Sequence, residues 1–168
     1  MASLRSGQNS DPDGYDVAQV CRSGHMINSS AIDYPEFSKD FCSECGQPTL
    51  TDCEHCHTPI RGHLRGVMSV REPPTPNFCH GCGRPYPWTE TALNAARELA
   101  DALSVTDAEK QLLKADLEDL VKDTPRTPLA AFRFKQIVAK AGPQVGGMFK
   151  EILIGVISNA AQKGMGLG

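Results

Sequence analysis

The chain divides into a region without regular apolar spacing and a region with helical spacing. Up to Trp88, Gly, Pro and Thr are frequent, and only the segment from Tyr15 to Ile27 alternates loosely, which predicts a short strand through Val17 and Val20. From Thr89 onward the composition changes to Ala, Leu, Glu and Lys, with apolar residues at helical intervals. The pattern predicts a small β region followed by an all-α region.

Four helices are predicted after Trp88. Thr106 and Glu109 form a capping box before the second helix, and Thr127 as cap with Pro128 at the first helical position starts the third. The apolar positions of the first three helices are Ala92, Ala96, Leu99 and Leu103, then Leu113, Leu117 and Leu120, and then Ala130, Phe134, Ile137 and Ala141. These spacings are typical of amphipathic helices that pack in a bundle.

The fourth predicted helix, over residues 144–163, is apolar around most of its circumference. A helix of this kind is buried by its neighbours. It forms either the centre of this bundle or a contact with another chain, so homo-oligomerisation through the C-terminal helix is one expectation.

Residues 124–168 carry a net charge of +5, because they include six basic residues and only one acidic residue, Glu151. Arg126, Arg133 and Lys140 recur at intervals of seven and so lie near one face of the third helix. Three partners fit this charge: an acidic protein, an anionic lipid, or the acidic second helix of the same fold.

The whole chain has 168 residues and a net charge of −3, which excludes a globally basic nucleic-acid binder. Residues 1–14 lack the apolar core of a secretory signal and are predicted to be a disordered lead-in. The longest apolar run, Ile152 to Ser158, is far shorter than the roughly 20 residues that span a bilayer. We therefore expect a soluble, cytoplasmic protein without a transmembrane segment.

All seven cysteines lie between Cys21 and Cys82, and six of them form Cys-x-x-Cys pairs. Cys21 precedes His25 by four residues, which completes eight ligands, enough for two tetrahedral zinc ions per chain. In a chain without an export signal, this spacing favours reduced thiols on structural zinc over disulfides. The predicted ligands are Cys21, His25, Cys42 and Cys45 at site 1, and Cys53, Cys56, Cys79 and Cys82 at site 2.

The pairing of these ligands rests on an internal repeat. FCSECGQP and NFCHGCGRP share an aromatic residue, two cysteines, Gly and Pro, and each closes one predicted ribbon, which favours sequential pairing. The alternative places the four cysteines from Cys42 to Cys56 around one ion and leaves Cys21 and His25 with Cys79 and Cys82. A further alternative makes His25 a surface residue, so that site 1 has three protein ligands.

Enzymatic roles find no support in the motifs. The ligand order does not fit a cross-braced ubiquitin-ligase finger, and no helix follows a Cys pair as in thioredoxin-like proteins. Four thiolates close site 2, whereas a catalytic zinc keeps one position for water. The remaining histidines, which could only compete as ligands or open a catalytic site, are His55, His57, His63 and His80.

A local basic face in the second ribbon suggests an alternative function. Its candidate residues for binding a single nucleic-acid strand are Arg61, Arg65, Arg71, Arg84 and Trp88. Between Pro59 and Pro76 the only acidic residue is Glu72. The other interpretation is a set of solvated loop residues beside a small aromatic core.

The Cys and His pairs and the FCxxCG repeats resemble the double zinc ribbon module over residues 15–88. With YDVAQVCRSGHMIN, PYPWTE and DTPRT, the whole chain is similar to a family of small bacterial proteins catalogued as a domain of unknown function with N-terminal zinc ribbons. The resemblance implies metal ligation at the eight positions, a bacterial cytosolic setting and no assigned activity or catalytic residue. His25 stands where many double ribbons have cysteine.

The sequence thus predicts a lead-in over residues 1–14, a tandem zinc ribbon over 15–88 and a four-helix domain over 89–168. The expected fold class is a small metal-bound β module joined to an all-α domain. The expected function is a non-enzymatic adaptor or scaffold that binds a protein partner, with nucleic-acid binding as the second hypothesis.

Overall fold

The computed structural model describes residues 13–67 and 71–165, so most of the predicted lead-in lies outside the described residues. The chain forms two compact units, Met1–Tyr86 and Pro87–Gly168, which we call the N-terminal and C-terminal units. Short strands occupy the first and helices the second. No helix in the described ranges has the length and apolar character needed to cross a membrane.

The described residues of the N-terminal unit form five short strands and one 3₁₀ turn, Pro35–Phe37. The strands are β1 (Tyr15–Val17), β2 (Gln19–Cys21), β3 (Met26–Asn28), β4 (Thr49–Leu50) and β5 (Arg61–Leu64). β2 lies between β3 and β4 in an antiparallel sheet, and β1 pairs with β5 in a second one. Because β5 follows Cys56 and β1 precedes Cys21, the second sheet joins the two segments that the sequence predicts as separate ribbons.

A close approach of three chain segments explains the glycine in β5. A Cβ at Gly62 would lie 2.1 Å from the Ser29 carbonyl oxygen and 2.9 Å from the Ala18 nitrogen. The backbones on both sides are hydrogen-bonded, with His63 N–H donating to Ser29 O over 2.7 Å and Ala18 N–H to Ile60 O over 2.7 Å. Only glycine therefore fits between these segments.

Three buried polar side chains from the strands hold the long loop that follows β3. Asp16 Oδ1 accepts from Ile32 N–H at 3.0 Å, and Asp16 Oδ2 accepts from Asp33 N–H at 3.2 Å. Gln19 Oε1 accepts from Lys39 N–H and its Nε2 donates to Lys39 O, both at 2.9 Å. Asn28 Nδ2 donates to Tyr34 O at 2.8 Å and to Ser38 Oγ at 3.1 Å. The loop backbone is thereby fixed at both ends.

The C-terminal unit contains five described helices: α1 (Pro87–Asp101), α2 (Asp107–Leu120), α3 (Thr127–Ala141), α4 (Pro143–Leu153) and α5 (Asn159–Met165). The predicted capping box of Thr106 and Glu109 is confirmed, and the three predicted inner leucines of α2 are fully buried. Thr127 lies inside α3, and its buried hydroxyl serves the end of α2 by donating to Lys122 O at 2.6 Å. It is therefore not the cap that the sequence predicts.

The prediction of one final helix over residues 144–163 is wrong, because the chain turns at residues 154–158. Gly155 lies in the turn, and Ser158 N–H donates to Leu120 O at 2.9 Å, outside any helical ladder. Ser158 Oγ then accepts from Ala161 N–H at 3.2 Å, as an N-cap does. The described residues up to 165 thus form five helices in place of the predicted four.

Most of the apolar residues in this C-terminal segment are used inside the unit. Phe149 and Leu153 of α4 are buried, and Phe149 packs edge-on against Phe134 with the ring centroids 5.2 Å apart. Met148 and Ile154 remain exposed, by 49% and 60%. Self-association through this segment stays a prediction. It would have to use the exposed side chains of Met148 and Ile154.

The basic stripe of α3 lies against the acidic residues of α2. Arg126 Nε bonds Asp119 Oδ2 at 3.0 Å, Lys140 Nζ bonds Glu109 Oε1 at 2.5 Å, and Arg133 forms a two-pronged pair with buried Asp116. The sequence leaves three partners open for this basic charge. In the structure, Arg126, Arg133 and Lys140 bind the acidic second helix of the same fold.

Candidate metal centres

Three Cys-x-x-Cys turns share one local architecture, which we call a knuckle. In each, the residue before the first cysteine bridges to a proline seven positions later: Phe41 with Pro48, Asp52 with Pro59, and Phe78 with Pro85. The N–H of the residue after the second cysteine donates to the first cysteine's carbonyl at 2.8 to 2.9 Å. The chain therefore curls tightly enough for two side chains to reach one ion.

The residue after the second cysteine adopts the left-handed conformation in all three knuckles. Gly46 and Gly83 have φ of 71° and 72°, as this conformation favours glycine. His57 occupies the same position with φ of 57°. The second knuckle, DCEHCHTP, is thus a third copy of the repeat, although His in place of Gly hides it in the sequence.

The first pair, Cys21 and His25, forms a related turn at the end of β2. Gly24 has φ of 92° and its N–H donates to Cys21 O at 2.9 Å. His25 N–H points at Cys21 Sγ over 3.3 Å. The turn aims the imidazole of His25 at the same point as the Cys21 thiol.

The eight predicted ligands come together in two groups of four. Within each group the ligand atoms all lie within 4.8 Å of one another. The groups are Cys21, His25, Cys42 and Cys45, and Cys53, Cys56, Cys79 and Cys82. This grouping is the sequential pairing, and His25 is part of its cluster.

The separations between ligand atoms have the size of tetrahedron edges. In the first cluster His25 Nδ1 lies 3.5 Å from both Cys21 Sγ and Cys42 Sγ, and Cys21 Sγ lies 3.7 Å from Cys45 Sγ. In the second cluster Cys53 Sγ lies 3.8 Å from Cys82 Sγ, and a further S···S separation is 3.6 Å. A tetrahedral zinc with Zn–S of about 2.3 Å and Zn–N of about 2.05 Å has edges of about 3.8 Å between sulfurs and about 3.5 Å between sulfur and nitrogen.

Burial differs between the two ligands of each knuckle. The first cysteines are 1% to 4% exposed, whereas Cys45, Cys56 and Cys82 are exposed to solvent. Backbone N–H groups donate to the buried sulfurs. Glu44 N–H donates to Cys42 Sγ at 3.4 Å, and Gly81 N–H donates to Cys79 Sγ at 3.3 Å. Such bonds stabilise thiolates, the form that binds metal.

Local hydrogen bonds also favour ionisation of two exposed thiols. A bond from the Ser23 side chain lowers the pKa of Cys45 to about 6. The Thr58 hydroxyl, 3.2 Å from Cys56 Sγ, lowers the pKa of Cys56 to about 6. Both lowered pKa values favour the thiolate, which is the form that binds a metal.

His25 is oriented by an acidic neighbour. Glu44 Oε2 lies 3.6 Å from Nε2, which leaves Nδ1 directed at the cluster. Carboxylates commonly hold the second nitrogen of a metal-binding histidine in this way. The neighbouring thiols of Cys45 and Cys42 raise the pKa of His25, so protons compete with a metal for this ring more strongly than at an ordinary histidine.

The other histidines lie outside both clusters. His55 Nδ1 is 3.1 Å from Arg84 Nη1, His57 Nδ1 is 3.6 Å from Asp52 Oδ1, and His63 Nδ1 is 3.0 Å from Leu64 O. His80 follows Cys79 and is exposed. Among the described residues, none of the four belongs to a group of metal-binding atoms.

Two arginines of the predicted basic face, Arg61 and Arg65, are paired with acidic residues from elsewhere in the unit. Arg61 bonds Asp13 and stacks on Tyr15, with its guanidinium 4.9 Å from the ring centroid. Arg65 lies 3.2 Å from Asp33 and 3.5 Å from Asp16. The sequence could not indicate these partners, because the β1 and β5 pairing brings them together.

The aromatic member of that predicted face is not accessible. Trp88 is 4% exposed, which leaves too little ring surface for a base to stack on. Arg71 and Arg84 are exposed, and Arg84 contacts His55. These positions add nothing in favour of nucleic-acid binding.

Comparison with known proteins places the chain in one family. Residues 14–165 match the family model described as an uncharacterised protein conserved in bacteria, DUF2321. No curated protein and no solved structure matches the chain significantly.

Proposed function

The chain belongs to the bacterial family DUF2321, and we propose that it is a non-enzymatic adaptor whose N-terminal unit is held together by two structural zinc ions. One ion is bound by Cys21, His25, Cys42 and Cys45, and the other by the four cysteines of the second cluster. We propose a cytoplasmic setting, where thiols stay reduced.

The observation that carries the zinc proposal is the size of the two ligand tetrahedra. Sulfur separations of 3.6 to 3.8 Å and sulfur to nitrogen separations of 3.5 Å suit a zinc ion with thiolate and imidazole ligands. A set of three thiolates and one imidazole favours zinc over magnesium or calcium, which take oxygen ligands.

A structural role for the metal follows from the number of ligands. Four protein ligands close each tetrahedron, whereas hydrolytic zinc sites keep a position for water. The tandem ribbon interpretation fits the three knuckles, with one modification: the pairing of β1 with β5 ties the two ribbons into one unit.

Native mass spectrometry of the protein purified from its own host tests the proposal, because it counts metal ions, subunits and retained partners together. We expect two zinc ions per chain and a retained protein. Cys21→Ser and Cys53→Ser should each lose one ion, and Glu54→Gln, an exposed change between two ligands, should lose none. One or no zinc in the unmodified protein would refute the ligand assignment, and a monomer that carries nucleic acid would refute the adaptor role.

A further inference from the structure

Four large apolar side chains on one segment of the N-terminal unit are exposed to solvent. They are Ile32, Tyr34, Phe37 and Phe41, with exposed fractions of 43% to 64%. The rings of Tyr34 and Phe37 are neighbours, with centroids 6.3 Å apart. Single exposed apolar residues are ordinary, but two adjacent exposed rings, with two more exposed apolar side chains on the same segment, mark a candidate interaction site. We call residues 31–41 the aromatic loop.

Buried polar side chains from the strands hold the backbone of the aromatic loop. Asp16, Gln19 and Asn28 are 1%, 7% and 7% exposed, and all three use their side chains to bond the loop between Ile32 and Lys39. Burying a polar side chain costs free energy unless it is hydrogen-bonded, so these three residues and the loop depend on one another.

A fixed loop with outward apolar side chains is suited to binding. Because the backbone of the aromatic loop is already ordered, binding of a partner does not have to order it. Ordering of a loop is one of the main free-energy costs of association. Aromatic side chains are also the commonest anchors of protein interfaces. The exposed rings themselves contribute little to the stability of the isolated fold, because the side chains of Phe37 and Phe41 lie mostly in water.

Charge indicates the chemistry of the partner. Around the aromatic loop, residues 31–44 hold four acidic side chains against Lys39 alone. Asp33 pairs with Arg65 and Glu44 lies near His25, whereas Glu36 and Asp40 have no ionic partner among the described residues. A zinc with three thiolates adds about one more negative charge. A basic partner is favoured, and nucleic acid is disfavoured.

A recess beside the loop offers a place for a side chain. Asp33 and Tyr34 also line a polar cavity of about 320 Å³ together with Asp16, His63 and Arg65. Interface anchors are commonly inserted into pockets of this kind. Because Tyr34 lines the cavity and contacts Phe37, these two rings lie beside the cavity on one surface.

The basic stripe of α3 is paired within its own unit. Arg126, Arg133 and Lys140 bond acidic residues of α2, so a second copy that used this stripe would have to break those pairs. We propose that the aromatic loop docks a segment of a different protein in which apolar side chains stand beside Lys or Arg. This inference rests on the adaptor function proposed above and assigns that function a surface.

Binding of short synthetic peptides to the zinc-loaded full chain, followed by fluorescence anisotropy, tests the proposal. One peptide set alternates Leu or Trp with Lys or Arg, and its counterpart carries Glu in place of the basic residues. We expect the basic set to bind roughly tenfold or more tightly than the acidic set. Phe37→Ser should weaken that binding roughly tenfold or more, as truncation of an aromatic anchor does, and Glu36→Lys should weaken it and flatten its salt dependence. Equal binding of both sets, or binding that neither substitution changes, would overturn the proposal.

Phe132→Ser is the matched control, because Phe132 is similarly exposed, by 58%, but lies on α3. Two bound zinc ions in each variant show that the unit is folded. A host partner that remains bound to both loop variants would be consistent with the adaptor function but would refute the aromatic loop as its docking surface. A wild-type protein without any protein partner would refute the adaptor function itself, and a homo-oligomer that Phe37→Ser dissociates would refute the proposed kind of partner.

Discussion

The two units of this protein are stabilised in different ways. The N-terminal unit has strands of two to four residues, and its largest fully buried apolar side chains are Val20, Ile60 and Tyr86. The C-terminal unit buries whole helix faces, with Leu113, Leu117, Leu120, Phe149 and Leu153 at 0% to 1% exposure. The first set is too small to offset the chain entropy of its unit, whereas the second forms a continuous core.

Residues of different chemistry occupy the interiors of the two units. In the helical unit apolar area is removed from water, at about 25 cal/mol per Å². In the N-terminal unit the buried positions include the first cysteines of the clusters, so the proposed metal–ligand bonds would take the place of apolar contacts at the centre of the fold. Each unit therefore has its own point of failure.

Removal of the metal should have the largest effect. Structural zinc contributes on the order of 10 kcal/mol to small domains, more than the stability of the unit without it. A strong chelator, or Cys53→Ser combined with Cys21→Ser, should abolish protection from hydrogen exchange over residues 13–86 and leave the helices protected. The measurement is hydrogen exchange read by mass spectrometry. Retained protection in the metal-free N-terminal unit would show that the fold does not depend on the metal.

A cavity in the helical core should produce the converse result. Phe149 is fully buried against Phe134, so Phe149→Ala should destabilise the C-terminal unit by about 3 to 5 kcal/mol. Zinc content should remain at two ions per chain. Urea unfolding followed by circular dichroism measures the loss, and Phe132→Ala, at an exposed position of α3, should change stability by about 0.5 kcal/mol or less.

The ion pair between Arg133 and Asp116 should have the next largest effect. Asp116 is 1% exposed, so Arg133→Met leaves a buried carboxylate without its partner and should cost about 3 kcal/mol. Burial raises the pKa of Asp116, and loss of the arginine raises it further. Since the folded-state pKa then lies above the unfolded-state value, the cost should shrink as pH falls through it and grow as pH rises.

Arg126→Met provides the control for that experiment. Arg126 pairs with Asp119 at the same helix contact, but its side chain is 72% exposed. An exposed pair contributes about 1 kcal/mol or less, so the effect should be small and should show little pH dependence. Equal losses in both variants would mean that burial does not determine the strength of the pair at Asp116.

Local patterns were predictable from the sequence to the extent that their cause is local. Cys spacing indicated all eight members of the two clusters, and the capping box at Thr106 followed from a four-residue motif. The pairing of β1 with β5 could not be predicted in this way, because it joins Tyr15 to Leu64, which are far apart in the sequence. The salt bridges of Arg61 and Arg65 depend on that pairing and were equally hidden.

The break before α5 was missed for a different reason. Apolar periodicity continues through residues 154–158, so the pattern favoured one long helix over two. Gly155 and Ser158 were local signals that could have indicated a turn and a cap. Buried Asp16, Gln19 and Asn28 left no such signal, since only the fold shows that their side chains hold the aromatic loop.

The smallest predicted effect concerns backbone conformation in the second knuckle. His57 has φ of 57°, where a residue with a Cβ costs about 1 kcal/mol relative to glycine, whereas Gly46 and Gly83 avoid this cost. His57→Gly should therefore stabilise the N-terminal unit by roughly 0.5 to 1 kcal/mol, part of the gain being offset by the greater freedom of glycine in the unfolded chain. Gly46→Ala should destabilise it by a similar amount, although a Cβ there meets no atom within 4 Å. Zinc release in a denaturant titration measures both variants. If His57→Gly instead loosened the second cluster, the imidazole of His57 would contribute more to the site than its backbone costs.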